Sequence, residues 1–159
     1  MKAYLAGAIE KAPDGGKAWR EEIGKFLKVK LNHNFYNPAI SEYSALTAEE
    51  KKNFRKWKTS DTERFKKTVR KIIRFDINVL LSETDYVICL WDQYTTIGGG
   101  THGELTVAFL NNIPVYLVCA VDLKEISGWI VGCTEKIFFN FDELKKFLLE
   151  KYKLRPPKC

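Results

Sequence analysis

Apolar and polar positions follow two rhythms along this chain, and their order predicts an α/β protein. KAYLAGA reads as a short buried strand ending at Gly7. GGKAWREEIGKFLKVKL places Trp19, Ile23, Phe26 and Leu27 on one helix face. HNFYNPA is a second strand stopped at Asn37-Pro38, because the residue before a proline is pushed toward extended geometry. SEYSALTAEEKKNF is a loop entering a helix, with Thr47 and Glu50 spaced as a capping box. A longer helix follows from about Thr62 to Leu81, its apolar stripe made by Phe65, Val69, Ile72, Ile73, Val79 and Leu80. DYVICLW and IPVYLVC are strands separated by a glycine loop and the helix THGELTVAFLNN. SGWIVGCTEKIFFNF holds a turn and a short strand, and FDELKKFLLEKY closes the chain as an amphipathic helix.

This order, β-α-β-α-β-α-β-β-α, predicts a doubly wound, mostly parallel five-stranded sheet with helices on both faces, Rossmann- or flavodoxin-like. In such a sheet a ligand is expected at the carboxyl ends of the strands, near a topological switch point. Residues 1–152 are expected to form a single domain and 153–159, KLRPPKC, a loose tail.

Composition changes this picture little. A chain of 159 residues with 45% hydrophobic positions can bury a core, and ten Phe, seven Tyr and four Trp argue against disorder. The first ten residues carry one positive charge and an apolar run too short for a signal peptide, and no apolar stretch is long enough to span a membrane, so a soluble cytoplasmic protein is expected. Cys89, Cys119, Cys133 and Cys159 show no C-x-x-C spacing, and His33 and His102 are the two histidines, so reduced structural thiols and no metal are expected.

The formal charge of +6 is unevenly placed. Lys51 to Arg74 holds eleven basic and two acidic residues, a net of +9. Such a block is either an electrostatic footprint for nucleic acid or a solvated helix face. Its cations lie opposite the apolar stripe, which favours the solvated face, and nucleic acid is not the expected partner.

Two carboxylates stand out. Asp76 falls inside the apolar stripe, four after Ile72 and four before Leu80, where it needs a partner or a cavity. Glu104 follows three glycines. With Thr101 it fits a capping box, yet a cap does not need Gly98, Gly99 and Gly100, whereas a ligand lying against bare backbone does. Tyr4 on the first strand is either core or a hydroxyl presented near the strand end. Neither G-x-G-x-x-G nor G-x-x-x-x-G-K-[ST] occurs, so no cofactor is expected.

Four segments, YLAGAI, DINVLLSETDYVICLWD, GGGTHGELTVAFLNNIPVYLV and ISGWIVG, together resemble the nucleoside 2-deoxyribosyltransferases and the related deoxynucleoside 5′-monophosphate N-glycosidases. The resemblance implies that Glu104 is the nucleophile at the anomeric carbon, that Asp76 helps protonate the departing base, and that Tyr4 orients the Glu104 carboxylate. It implies that Gly7, Ala8 and Ile9 line the sugar and base pocket with Gly100 and Thr101, and that Asn37 begins a loop contacting the base. Ser127 matches a position lent by a neighbouring subunit to the 5′ end of the sugar, with Trp129 beside it, which implies a homo-oligomer. Two departures are visible. The transferases' second acid is replaced by Gly98 and Gly99, leaving Asp92 as the nearest acid, and the monophosphate glycosidases' early arginine is replaced by Glu10 and Lys11. The activity implied is transfer of deoxyribose from a 2′-deoxynucleoside to another free nucleobase through a covalent deoxyribosyl-glutamate. Hydrolysis of a deoxynucleoside monophosphate is the alternative. The cytokinin-activating phosphoribohydrolases, with P-G-G-x-G-T-x-x-E, match less well, and a nucleic-acid-binding module is the remote reading.

Overall fold

The structure is a computed structural model that describes residues 1–153. The tail expected after the last helix lies, from residue 154 on, outside the described residues.

Five strands, β1 (Lys2–Ala6), β2 (Asn34–Tyr36), β3 (Tyr86–Trp91), β4 (Val115–Cys119) and β5 (Lys136–Phe138), form one all-parallel sheet in the order β2-β1-β3-β4-β5. From β1 the chain first adds β2 on one side and then returns to add β3 on the other. The switch point therefore lies between β1 and β3, and a crevice opens beyond their carboxyl ends.

Strand residues of period two divide between two cores, as expected for a parallel sheet buried on both faces. Ala3, Leu5, Tyr86, Ile88, Tyr116 and Val118 meet Ile23 and Leu27 of the first helical segment and Leu144 and Leu148 of the last. Their neighbours Tyr4, Ala6, Val87, Cys89, Leu117 and Cys119 point the other way, onto Val79, Leu80, Leu105 and Ala108. The helices on the first face are α1 (Lys17–Phe26), continued by a π-helical turn over Leu27–Leu31, and the helix Phe141–Lys153. Burying one such Leu or Ile contributes about 1.5–3 kcal/mol, so the two cores dominate stability.

Between β2 and β3 lie α2 (Pro38–Ser41), α3 (Ala48–Ser60) and α4 (Thr62–Glu83). The expected capping box is present: the Glu50 N–H donates to Thr47 Oγ1 at 3.2 Å, and the Thr47 N–H donates to Glu50 Oε2 at 2.9 Å. Asp61 alone separates α3 from α4 and caps the latter through the Arg64 N–H. Helix α3 lies outside the sheet layers, held on α4 by a satellite cluster of Leu46, Phe54, Trp57 and Ile72.

The glycine segment differs from expectation. After β3 come α5 (Gln93–Ile97) and α6 (Gly99–Leu110), so Gly99 and Gly100 are already helical, and Gly98 is the N-cap. The crossover from β4 to β5 is made by a 3₁₀ turn and α7 (Gly128–Gly132) rather than by a plain turn, and α8 is the closing helix Phe141–Lys153. Among the described residues no helix is long and apolar enough to cross a membrane.

Candidate functional site

A cavity of about 630 Å³ opens at the switch point, between the β1–α1 loop, the α3–α4 hairpin and the start of α6. Two carboxylates enter it, Asp76 from α4 and Glu104 from α6. Each is held from behind by a tyrosine. The Tyr4 hydroxyl donates to Glu104 Oε1 at 2.6 Å, and the Tyr36 hydroxyl donates to Asp76 Oδ1 at 2.7 Å. Tyr4 and Tyr36 are register partners on the adjacent parallel strands β1 and β2, so both side chains leave the same face of the sheet. Their ring centroids are 5.2 Å apart. Sheet geometry thus sets the spacing of the two carboxylates.

The environments of the pair differ. Asp76 is 8% exposed, and burial pushes its carboxyl up to about 6 against the lowering effect of the Tyr36 hydrogen bond. A carboxyl of this kind exchanges a proton near neutral pH. Glu104 is half-buried. Burial, followed by the charges of Glu104 and Asp76, pushes the Tyr4 hydroxyl far above its ordinary range, so Tyr4 remains a donor.

Glu104 does not cap a helix. Because α6 starts at Gly99, Thr101 is already the third helical residue, and the helix end has no side-chain cap. The capping-box reading of Thr101 and Glu104 therefore fails. Side chains at Gly99, Gly100 and Gly103 would meet nothing of this chain within 4 Å, yet all three glycines line the cavity. The protein's own packing does not require them, and their effect is to leave backbone bare along the cavity wall.

Gly7, Ala8 and Ile9 line the cavity as expected, together with Gly100 and Thr101. Their loop is held by Arg20, which is fully buried. Its guanidinium donates to the carbonyls of Leu5 at 3.0 Å, Gly7 at 2.9 Å, Gly16 at 2.7 Å and Ala8 at 3.2 Å. Gly16 has φ of 68°, and a Cβ there would lie 2.1 Å from Arg20 Nη1 and 2.3 Å from the Ala8 oxygen, so only glycine fits. Burial lowers the Arg20 pKa, and the Glu104 charge is the largest influence opposing that fall. Thr95 ties the same loop to α5, its hydroxyl accepting the Ala8 N–H at 3.1 Å. Sequence reading missed Arg20 and Tyr36. The signal for Arg20 was its position three before Ile23 and seven before Leu27, on the buried face.

Four expected binding residues lie outside this cavity. Asn37 is buried, and its Oδ1 accepts the Ala39 N–H at 3.0 Å, opening α2, while its neighbour Pro38 reaches the cavity. Asp92 caps α5, with Oδ1 taking the N–H groups of Tyr94 and Thr95 at 3.0 and 2.8 Å. Ser127 is exposed and caps α7. Trp129 is 69% exposed, and its indole N–H donates to Thr106 on α6 at 2.9 Å.

Two cations of the basic block reach the site. Arg55 and Lys58 of α3 line the cavity with Lys11, and Glu10 takes Arg55 at 3.2 Å and Lys58 at 3.9 Å across the mouth. Arg64, Lys66 and Lys71 pair with Glu49, Glu63 and Glu50. Among the described residues no group of three His, Cys, Asp or Glu is placed to hold a metal ion. Cys89, Cys119 and Cys133 are buried free thiols.

No protein-family model matches the chain, and no curated protein matches it.

Proposed function

We propose that this chain is a nucleoside 2′-deoxyribosyltransferase, an enzyme that exchanges the base of a 2′-deoxynucleoside by a ping-pong route. The observation that carries the reading is a cavity-facing Glu104 held by Tyr4 instead of being spent on a helix end, with a protonatable Asp76 in the same cavity. This is the two-carboxylate logic of retaining glycosidases. A Glu104 oxygen forms a bond to the anomeric carbon as the carbon–nitrogen bond breaks. The bonding pair goes to the base nitrogen, and Asp76 supplies the proton the departing base needs. A second base then attacks the same carbon, releases the Glu104 carboxylate and returns its proton to Asp76. Attack by water in place of the second base makes the same site a hydrolase.

Incubation with a deoxynucleoside and a different free base, followed by chromatography, tests the reading. An exchanged nucleoside supports it, and intact substrate contradicts it. A second reading, hydrolysis of a deoxynucleoside 5′-monophosphate, is favoured by Lys11, Arg55 and Lys58 at the cavity, since cations at a mouth attract an anionic substrate. Free sugar phosphate released from the monophosphate, with no exchange when a base is added, selects it. Both readings place the chain in cytoplasmic nucleotide metabolism. Both also use a homo-oligomer in which Ser127 and Trp129 of one copy complete the site of another, and loss of activity on dilution to monomer checks that part.

A further inference from the structure

The cavity extends well beyond the two carboxylates. Along α4 its wall runs from Phe65 through Val69, Ile72 and Ile73 to Asp76, which Ile77 adjoins. At about 1.5 Å of rise per residue this wall is about 16 Å long. Asp76 marks one end, and Phe65, in a parallel stack with Phe54 of α3, marks the other. Between them Val69, Ile72 and Ile73 offer no hydrogen-bonding side chain.

Two isoleucines at the cavity are unusually exposed, Ile73 at 53% and Ile97 at 70%. Apolar side chains exposed around a concave site mark surface that a ligand covers. A sugar with its anomeric carbon at Glu104 and a single-ring base reaching Asp76 leaves the stretch from Ile72 to Phe65 unfilled. Since Asp76 serves the departing base, this stretch lies on the base side of the cleaved bond.

We propose that the α4 wall from Ile73 to Phe65 is a subsite for an apolar extension of the substrate's base, so the group that leaves is larger than a bare pyrimidine. The inference rests on the N-glycosidic reading of the site. Recognition along α4 is by shape and apolar area, because nothing on this wall reads the edge of a base, while α3 borders the far end with two cations that also line the cavity, Lys58 at 5.9 Å from the Phe65 ring centroid and Arg55 at 5.0 Å from that of Phe54.

The test uses three substrates: deoxycytidine, deoxyadenosine, and a purine deoxynucleoside carrying a benzyl group on its base. Turnover is measured with the wild-type protein and with Val69→Trp, and binding with Glu104→Gln. The expected order of kcat/KM is benzyl compound, deoxyadenosine, deoxycytidine, with at least about tenfold between first and last, the order expected when apolar groups enter a fitting pocket. Val69→Trp should lower the benzyl-to-deoxycytidine ratio by about tenfold or more, a ratio read within one protein sample. Deoxycytidine turned over as well as the benzyl compound by the wild type, or an unchanged ratio in Val69→Trp, overturns the subsite and leaves the chemistry standing. If none of the three, nor the 5′-monophosphate of any of them, is turned over while Glu104→Gln still binds the benzyl compound preferentially, the chemistry falls and the subsite stands. No turnover and no preferential binding overturn both.

Discussion

Two tyrosine–carboxylate pairs, built from the same parts, end in different places. In one, Tyr4 of β1 holds Glu104, which is half-buried and shares the electrostatic surroundings of the buried Arg20 guanidinium. In the other, Tyr36 of β2 holds Asp76, which is buried with its carboxyl pushed up to about 6. The hydrogen bonds are alike in length, 2.6 and 2.7 Å, so the hydrogen bond does not separate the roles. Burial and neighbouring charge do. A carboxylate beside a buried cation suits attack on carbon, and a carboxyl raised to about 6 holds its proton to higher pH than an ordinary aspartate, which suits protonation of a leaving base.

Breaking the Glu104 side has the largest expected effect. Glu104→Ala should lower base exchange by roughly 10⁴-fold or more while circular dichroism and melting stay those of a folded protein. Next is Asp76→Asn, expected to lower kcat by roughly 10²–10⁴-fold. The same variant carries a stability signature of known sign. The folded-state pKa of Asp76 is raised from 3.8 to about 6, so its favourable contribution is complete below pH 4 and is lost as pH rises through about 6. At about 1.4 kcal/mol per pKa unit, Asp76→Asn should gain on the order of 2–3 kcal/mol over wild type at pH 8 and little at pH 4, by denaturant titration at both pH values. Tyr4→Phe removes a hydrogen bond to a charged group, worth about 1.5–3 kcal/mol, and should slow exchange about 10–100-fold with Glu104 still present. Smallest is Tyr36→Phe. Its hydroxyl favours the ionised form of Asp76, so the falling limb of the kcat–pH profile, expected near pH 6, should move to higher pH.

The contrast also explains what could be read from the chain in advance. The strand itself was legible in KAYLAGA, and in the structure its alternation puts Tyr4 and Ala6 on one face and Leu5 on the other. Asp76 was legible because a carboxylate inside an apolar stripe has few physical explanations. Glu104 was ambiguous, since the three-residue spacing from Thr101 suits a cap equally well, and only the true helix start at Gly99 resolves it. Ile73 shows a limit of periodicity. Helical spacing marks it as apolar and inward-facing, but cannot tell a packed core from the wall of a cavity, where it is 53% exposed. Tyr36 and Arg20 escaped because their roles depend on contacts across the fold, a strand register in one case and a folded-back loop in the other. Asn37 was read as the start of a loop contacting the base and Asp92 as the nearest acid to it; in the structure each tends a local helix start, a habit of short polar side chains that spacing alone does not rank against binding.

The central claim is that the Glu104 carboxylate bonds to a sugar carbon. Acid-quenching the protein a few milliseconds after mixing with a 2′-deoxynucleoside, then digesting it and weighing the peptides, examines that bond directly. A deoxyribosyl adduct on the peptide containing Glu104, absent when free acceptor base is added before the quench, is the predicted result. Base released from the nucleoside with every peptide unmodified, or an adduct that persists in Glu104→Ala, would contradict it.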